Sequence, residues 1–483
     1  MIIAGLVGFG SLLSPHAHAA DRPNVLFIVL DDLNGWVGHL GGHPQARTPN
    51  IDRLAAAGLA FTSAYAPAPA CNPARAAVMS GLRPFESGLY WNEQDWTRAL
   101  GVETTLTARF ISAGYGVFGA GKIFHDSIFR DGEWTEHFLP PERALAAAPG
   151  ARDEGVGGIR FRPVANPPQD LPDYATVSWS IAKLQQRHDR PFFLAVGLTK
   201  PHMPWAVPQR YFDRFPLASI ELPPHLDGDL DDVPAVARPP RAARDHERIL
   251  RSGRWKEAVQ AYLAATAFAD EQVGRLLDAL EASPHHDDTI VVLWGDNGFH
   301  LGEKGRWRKF TLWEEATRVP LVWVVPGVTR PGGVSPRAVD LSSLYPTLCE
   351  LAGIERPEQV RTPSLVPLLR SPEAAWEHPA LMTLEPGSSA VRFDRWRYIR
   401  YADGSEELYD HASDPNEWRN LAAQPTLAGT RASLAKRLPQ AYATPVAVTG
   451  GRDGLWFLLG AILLLAAAAL ALRRMAQRRG RGG

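Results

Sequence analysis

Cys71-Asn72-Pro73-Ala74-Arg75 is the segment of this chain whose residue types and spacing say most about chemistry. Asn72 suits a helix N-cap, Pro73 a first helical position and Gly81 a stop, which puts Cys71 at a helix N-terminus. Backbone N–H groups and the helix dipole favour an anion there, and Arg75 can return its guanidinium to the same spot. The alternatives for Cys71 are a buried small residue or a disulfide to Cys349. Cys349 lies in the helically spaced stretch 341–351 and reads as core.

A second set of polar groups falls at the ends of apolar runs. The run 25–30 stops at Asp31-Asp32, and 289–294 stops at Gly295-Asp296-Asn297-Gly298. The run 115–118 leads to Lys122 and His125, and 192–198 leads to Lys200 and His202. Runs of this kind, alternating with helical segments, signal an α/β fold with a largely parallel sheet buried on both faces. Ligands of such sheets bind beyond the carboxyl ends of the strands, so four ends deliver their polar groups to one rim. Asp31, Asp32, Asp296 and Asn297 are hard oxygen ligands, suited to Ca²⁺ or Mg²⁺ rather than zinc. Neighbouring carboxylates repel unless a cation lies between them. The plainer reading is that each pair caps a following turn, as Asp and Asn often do.

With those elements in place, Cys71-x-Pro73-x-Arg75 resembles the signature of the type I, formylglycine-dependent sulfatases of the alkaline phosphatase superfamily. The resemblance runs over about residues 22–423. It includes Arg22-Pro23-Asn24, Asp31-Asp32, Thr48-Pro49-Asn50-Ile51-Asp52-Arg53-Leu54, Gly121-Lys122, Asp296-Asn297-Gly298, Glu407-Leu408-Tyr409-Asp410 and Asp414-Pro415-Asn416-Glu417, in that order. The segments 121–125 and 301–309 are most similar to the iduronate sulfatase branch, with choline sulfatase a neighbour. Two positions depart: Ser80 stands where many members have Thr, and Asn297 where the iduronate branch usually has His.

The resemblance implies an alkaline-phosphatase-like mixed, largely parallel sheet flanked by helices, with a small C-terminal antiparallel-sheet subdomain. It implies that Cys71 is converted to formylglycine by a formylglycine-generating enzyme, and that Asp31, Asp32, Asp296, Asn297 and the modified Cys71 hold one Ca²⁺, or Mg²⁺. One hydroxyl of the hydrated aldehyde then attacks sulfur, and the second allows the sulfate to be expelled. By the same resemblance Arg75 and Lys122 fix the hydrate, His125 removes its proton, His202 protonates the leaving oxygen and Lys309 neutralises the transferring group. The substrate implied is a small-molecule or oligosaccharide sulfate monoester, on a carbohydrate. A phosphonate or phosphodiester hydrolase on the same scaffold, and a non-catalytic binder of sulfated glycans, are the competing readings. Lys304, His300 and Trp307, beside Lys309, read equally as pocket lining or as a basic loop; His39 and His43 read as loop-shaping.

Composition is that of an ordinary folded, soluble body. The chain has 483 residues, 51 Lys+Arg against 52 Asp+Glu, 45% apolar and 21% charged residues, which excludes a disordered or collagen-like chain. Balanced charge argues against nucleic acid as a partner. Two cysteines are too few for a disulfide scaffold or a structural zinc site. Residues 1–19 read as a signal peptide ending in Ala17-His18-Ala19, although no basic residue precedes the apolar run. Residues 455–472 are uncharged and, at ~1.5 Å per residue, about 27 Å long as a helix, so they read as a C-terminal transmembrane helix or a sorting tail. The arginines of 473–483 would then lie in the cytoplasm and the body outside, on the periplasmic or extracellular face. The expected organisation is a catalytic domain at 22–375, a C-terminal subdomain at 376–445 with alternating strands, and a linker at 446–454. The proline-rich stretch 203–251 is expected to be irregular and to face the substrate, and 255–282 to be a long amphipathic helix.

Overall fold

The computed structural model describes residues 22–448, except 153 and 239 and the side chains of 240–243. Eight strands form the main sheet: β1 (Asn24–Leu30), β2 (Leu59–Phe61), β3 (Gly116–Gly121), β4 (Glu136–Phe138), β5 (Phe192–Leu198), β6 (Thr289–Gly295), β7 (Leu321–Val324) and β8 (Gly333–Ser335). Their order across the sheet is β8-β2-β7-β6-β1-β5-β3-β4. Only β7 runs against its neighbours; the other pairings are parallel.

Alternation along β1 explains why its sequence shows no polar face. Val25, Phe27 and Val29 enter one core, against Ala76, Val78 and Met79 of helix α2 (Cys71–Ser80). Leu26, Ile28 and Leu30 enter the other, against helices α1 (Pro49–Ala57), α3 (Pro172–Leu184) and α4 (Trp255–Glu281). A strand covered on both faces needs apolar side chains at every position. Leu30 is level with Leu198 on one side and Gly295 on the other, and Gly121 is level with Gly197. The chain therefore leaves β1, β3, β5 and β6 in one row, and the residues that follow converge.

A second, antiparallel sheet consists of β9 (Ala380–Glu385), β10 (Ser388–Phe393), β11 (Trp396–Arg400) and β12 (Glu406–Asp410). It grips the segment 312–314 of the main body through buried polar groups. Arg397 of β11 is fully buried, ion-pairs with Glu314 and Glu417, and donates to the Leu312 carbonyl at 2.7 Å. Glu407 of β12 accepts from Trp313 Nε1 at 2.8 Å and from the Tyr401 hydroxyl at 2.6 Å.

Two expectations are corrected. The C-terminal transmembrane helix drops out of the fold class, because no helix among the described residues is long and apolar enough to cross a membrane. The 27-residue α4 carries Lys256, Glu257, Asp270, Glu271, Arg275, Asp278 and Glu281, and packs into the core. The stretch 455–472, like the signal expected at 1–19, lies outside the described residues. The stretch 203–251 is also more regular than expected, with a short strand at Trp205–Pro208 and most of a helix at Pro240–Ser252.

Removing one partner from a buried ion cluster leaves the others uncompensated, so Arg397→Ala should cost roughly 3–5 kcal/mol of stability. Denaturant unfolding measures it; a loss below about 1 kcal/mol would mean that Arg397 does not join the two sheets.

Candidate active site

Helix α2 begins at Cys71 itself. Ala70, in extended conformation, occupies the N-cap position and offers no side-chain cap. Asn72, expected as the cap, instead donates from Nδ2 to the carbonyls of Gln94 at 2.7 Å and Trp91 at 3.1 Å, tying the first turn to the loop beside it. All ten residues of α2 are buried, an unusual setting for a helix containing Asn, Arg and Ser. Both cysteines are free, and Cys349 lies in the core.

The Cys71 thiol lies 3.2 Å from Asp31 Oδ1, and Lys309 Nζ approaches the sulfur at 2.8 Å. Lys122 Nζ pairs with Asp31 Oδ2 at 2.6 Å, Arg75 Nε with Asp296 Oδ2 at 2.7 Å, and Lys309 with Asp32. The backbone N–H groups of Asp32 and Asn297 both donate to Asp296 Oδ1, at 2.9 and 2.8 Å, and Asn297 Nδ2 donates to Asp32 Oδ1 at 2.7 Å. Asp32 has φ of 62°, a left-handed conformation costly for a residue with a Cβ, and Tyr262 secures it by donating to its carbonyl at 2.8 Å. Lys309 is likewise flanked by left-handed residues, Arg308 and Phe310, at the end of the Trp307–Arg308 strand that pairs with His300–Leu301.

Three carboxylates thus meet three cations, and the positive charge that neighbouring carboxylates require is already supplied by Arg75, Lys122 and Lys309. Burial alone would raise Asp31, but Lys122, His202, Arg75 and Lys309 hold it well below the usual carboxylate range. Asp296 is raised by burial and by Asp31 and Asp32, with Arg75 opposing. Burial and Asp31 push the Cys71 thiol well up, so the unmodified sulfur stays protonated at neutral pH.

The case for a cation rests on the donor set. Ligand atoms of Asp31, Asp32, Cys71 and Asp296 lie within 4.8 Å of one another. Asn297 Oδ1 is buried beside them with no hydrogen-bond partner. Arg75 Nη2 and His125 Nδ1 are also buried without a hydrogen bond. Buried polar atoms in native proteins are nearly always paired, and Asn297 Oδ1 is a spare acceptor on a side chain whose Nδ2 already bonds Asp32, as a metal ligand would be. The set is oxygen-rich and fits a hard divalent ion.

The two histidines differ. Burial and the neighbouring Lys122 lower His125 to about 3, which keeps its ring neutral. His202 is about a third exposed; its Nδ1 lies 2.6 Å from the Met203 carbonyl and its Nε2 3.8 Å from Asp32 Oδ2. The Met203 carbonyl accepts from Nδ1–H, which leaves Nε2 as the ring nitrogen turned toward Asp32. Nine of the ten residues singled out for chemistry are joined by these contacts: Asp31, Asp32, Cys71, Arg75, Lys122, His202, Asp296, Asn297 and Lys309. The tenth, His125, feels the charges of Lys122, Asp31, Arg75 and Lys309, but its ring contact is to Asp126 at 3.4 Å.

Their companions in sequence do other work. Lys304 is buried against Asp229 at 2.9 Å, His300 bonds Thr311 Oγ1 at 2.8 Å, and Trp307 donates to His246 at 3.2 Å, so none lines an open pocket. His39 pairs with Asp52, and His43 packs on Trp36. Two supporting residues escaped the sequence reading. Tyr262 lies mid-helix and reads as core. Asp173, in the first turn of α3, accepts from the N–H groups of Thr199 and Lys200, both at 2.8 Å, and so fixes the loop that carries His202. Neither has a local signal, because the contact is made only in the fold.

The family model described as Sulfatase matches residues 23–354, and the model described as N-sulphoglucosamine sulphohydrolase, C-terminal, matches residues 302–444. A sulfatase of Formosa agariphila is 39% identical, over 88% of each chain. Human iduronate 2-sulfatase is 31% identical, over 79% of this chain and 80% of its own. The phosphonate monoester hydrolase of Agrobacterium radiobacter superposes with a TM-score of 0.73 at 23% identity, covering 86% of this chain and 94% of that one, which shows a shared fold.

Histidines kept neutral by burial set a pH dependence. His300, like His125, is lowered to about 3 by burial, whereas an unfolded histidine protonates near 6.5. Between those values the unfolded chain binds the extra proton, so stability falls as pH falls. From pH 6.5 to 5 the expected loss is about 1.5–2 kcal/mol for His300 alone. His300→Gln should flatten that part of the profile; denaturant midpoints with the same slope in both proteins would refute it.

Proposed function

The chain belongs to the sulfatase family and is a sulfuric ester hydrolase, and from that premise we propose that it removes the 2-O-sulfate of a uronic acid in a sulfated carbohydrate. The similarity to iduronate 2-sulfatase over four-fifths of each chain supports this substrate class. One observation carries the assignment of residues: the Cys71 sulfur lies 3.2 Å from Asp31 Oδ1 and 2.8 Å from Lys309 Nζ, within a group of four candidate ligands whose atoms all lie within 4.8 Å of one another.

The family generally works with a formylglycine and a divalent metal. Here Asp31, Asp32, Asp296, Asn297 and the converted Cys71 would hold the ion, and Ca²⁺ suits so many protein oxygens better than Mg²⁺, which keeps more of its waters. When bound it would polarise a sulfate oxygen, and the hydrated aldehyde would supply the nucleophilic oxygen in place of the thiol. Three carboxylates against three cations sum to zero, so an added dication leaves the pocket positive and receptive to an anionic ester. Lys309, beside the Cys71 sulfur, places a fixed positive charge where the transferring group develops negative charge. Arg75 and Lys122 hold the nucleophilic carbon's substituents. His125, held neutral, accepts a proton, and His202 delivers one from Nε2 to the leaving sugar oxygen. Cys71 is about 1% exposed, so the formylglycine-generating enzyme must reach it before the chain folds. That order suits an exported protein, in keeping with the signal pattern at 1–19.

The competing phosphonate hydrolase reading has only the fold in its favour. Purified enzyme should hydrolyse a 2-O-sulfated uronate disaccharide and an aryl sulfate far faster than an aryl phosphonate; the reverse ratio would reject the proposal. His202→Ala should lower kcat on the sugar sulfate by about 10²–10⁴-fold while sparing an aryl sulfate with a good leaving group. Chelation should abolish turnover, with Ca²⁺ restoring it better than Mg²⁺. An unmodified thiol at residue 71 in active protein, seen by peptide mass, would remove the formylglycine from the account.

A further inference from the structure

The rim that carries the site continues to the edge of the sheet. Val334 of β8 is level with Ala60, Ala60 with Val322, Val322 with Leu293, and Leu293 with Ile28. Arg337, three residues after Val334, therefore leaves the sheet at the height where Asp31 leaves β1. Four strand spacings of ~4.8 Å separate them, roughly 19 Å across the same rim.

A cavity of about 700 Å³ opens there, between the residues that follow β8 and the C-terminal sheet. Arg337, Arg392, Arg395 and Arg437 line it, against two carboxylates, Asp394 and Glu377. Arg395 is neutralised by Asp410, and Arg337 lies 4.0 Å from Glu373. Arg392 and Arg437 have no carboxylate within ion-pair distance among the described residues. Arg437 Nη1 donates to the Glu377 carbonyl at 3.3 Å, and its guanidinium lies 3.7 Å over the Phe393 ring. Arg392 is only 7% exposed; Nη1 bonds the carbonyls of Asp394 and Trp396, while its Nε is buried without a partner. Trp376, half-buried, anchors its indole N–H on the Ala338 carbonyl at 3.1 Å and adds a flat apolar surface to the same wall. Planar guanidinium groups match sulfate and carboxylate oxygens, and an indole face suits the apolar side of a sugar ring.

We propose that this cavity is a second binding site for sulfated glycan, holding an anionic sugar several residues along the chain from the one being desulfated. This rests on the reading of the enzyme as a carbohydrate sulfatase, and it adds that the natural substrate is a polymer rather than a monosaccharide. Two contacts on one chain raise affinity without changing the chemistry, because the second binding event is intramolecular.

The test compares a 2-O-sulfated disaccharide with an octasaccharide, both prepared from heparin, as substrates of wild type, Arg337→Glu, Arg437→Glu and Trp376→Ala. The variants should raise KM for the octasaccharide about tenfold and more in the arginine pair than in the tryptophan, with kcat unchanged and the disaccharide's kcat/KM unchanged. Equal effects on the two substrates, or none on either, would overturn the proposal. Thermal unfolding at the wild-type midpoint verifies that the variants fold. If wild type desulfates neither substrate, the functional reading fails, and calorimetric titration of the octasaccharide onto the Cys71→Ala protein still decides the cavity. Binding that is lost on adding Arg337→Glu and Arg437→Glu supports it, and binding that survives refutes it. Inorganic sulfate binding as tightly as the octasaccharide would also refute it, since the site would then be for a free anion.

Discussion

Charge balance in a water-poor pocket is the constraint on which the rest of this structure depends. Asp31, Asp32 and Asp296 are essentially unexposed, and a buried carboxylate without a partner would protonate or unfold its surroundings. Each has a cation, and each cation comes from a different part of the chain: Arg75 from α2, Lys122 from the end of β3, Lys309 from beyond the Trp307–Arg308 strand. The parallel sheet brings these parts to one height through the register of β1, β3, β5 and β6. As folded, the three carboxylates are balanced by three cations of the chain itself.

That balance is kept at the expense of local regularity. Asp32, Arg308 and Phe310 adopt left-handed backbone, and three polar atoms stay unpaired. Strain of this kind persists only when surrounding structure over-determines it. Here the Tyr262 hydroxyl, the paired N–H groups on Asp296 and the Asp173 carboxylate supply that support, and they come from helices α3 and α4 and the end of β6 rather than from the site's own loops. Preorganised dipoles and charges need no rearrangement when the reaction develops charge.

Much of this was legible in the sequence, for a physical reason. Strands buried on both faces must be apolar throughout, so the polar residue after each run stands out, and all four strand ends were visible as Asp31-Asp32, Lys122, Lys200 and Asp296-Asn297. The motif order around Cys71 made the family readable. Less legible were contacts that exist only across the fold. Asn72 had every local feature of an N-cap, yet its side chain found better partners in the 91–94 loop, and the helix started two residues earlier, with Ala70 at the N-cap. Lys304 and Lys309 look alike in sequence; Asp229, 75 residues away, captures one and leaves the other for the site. The compensation of three carboxylates by three cations was also invisible locally, since each pair joins residues far apart in the chain.

The C-terminal sheet gains a meaning from the same logic. Its buried Arg397 and Glu407 hold 312–314, and only two residues separate that segment's start from Lys309. Phe310, next to Lys309, is in turn tied by its N–H to the Pro69 carbonyl, just before Cys71. Residues 310–313 therefore link the second sheet, which holds Leu312 and Trp313, to the segment just before helix α2, which holds Phe310. The second sheet thus holds the chain just beyond the left-handed turn that carries Lys309. Its outer wall is also free to contribute to an arginine-lined cavity.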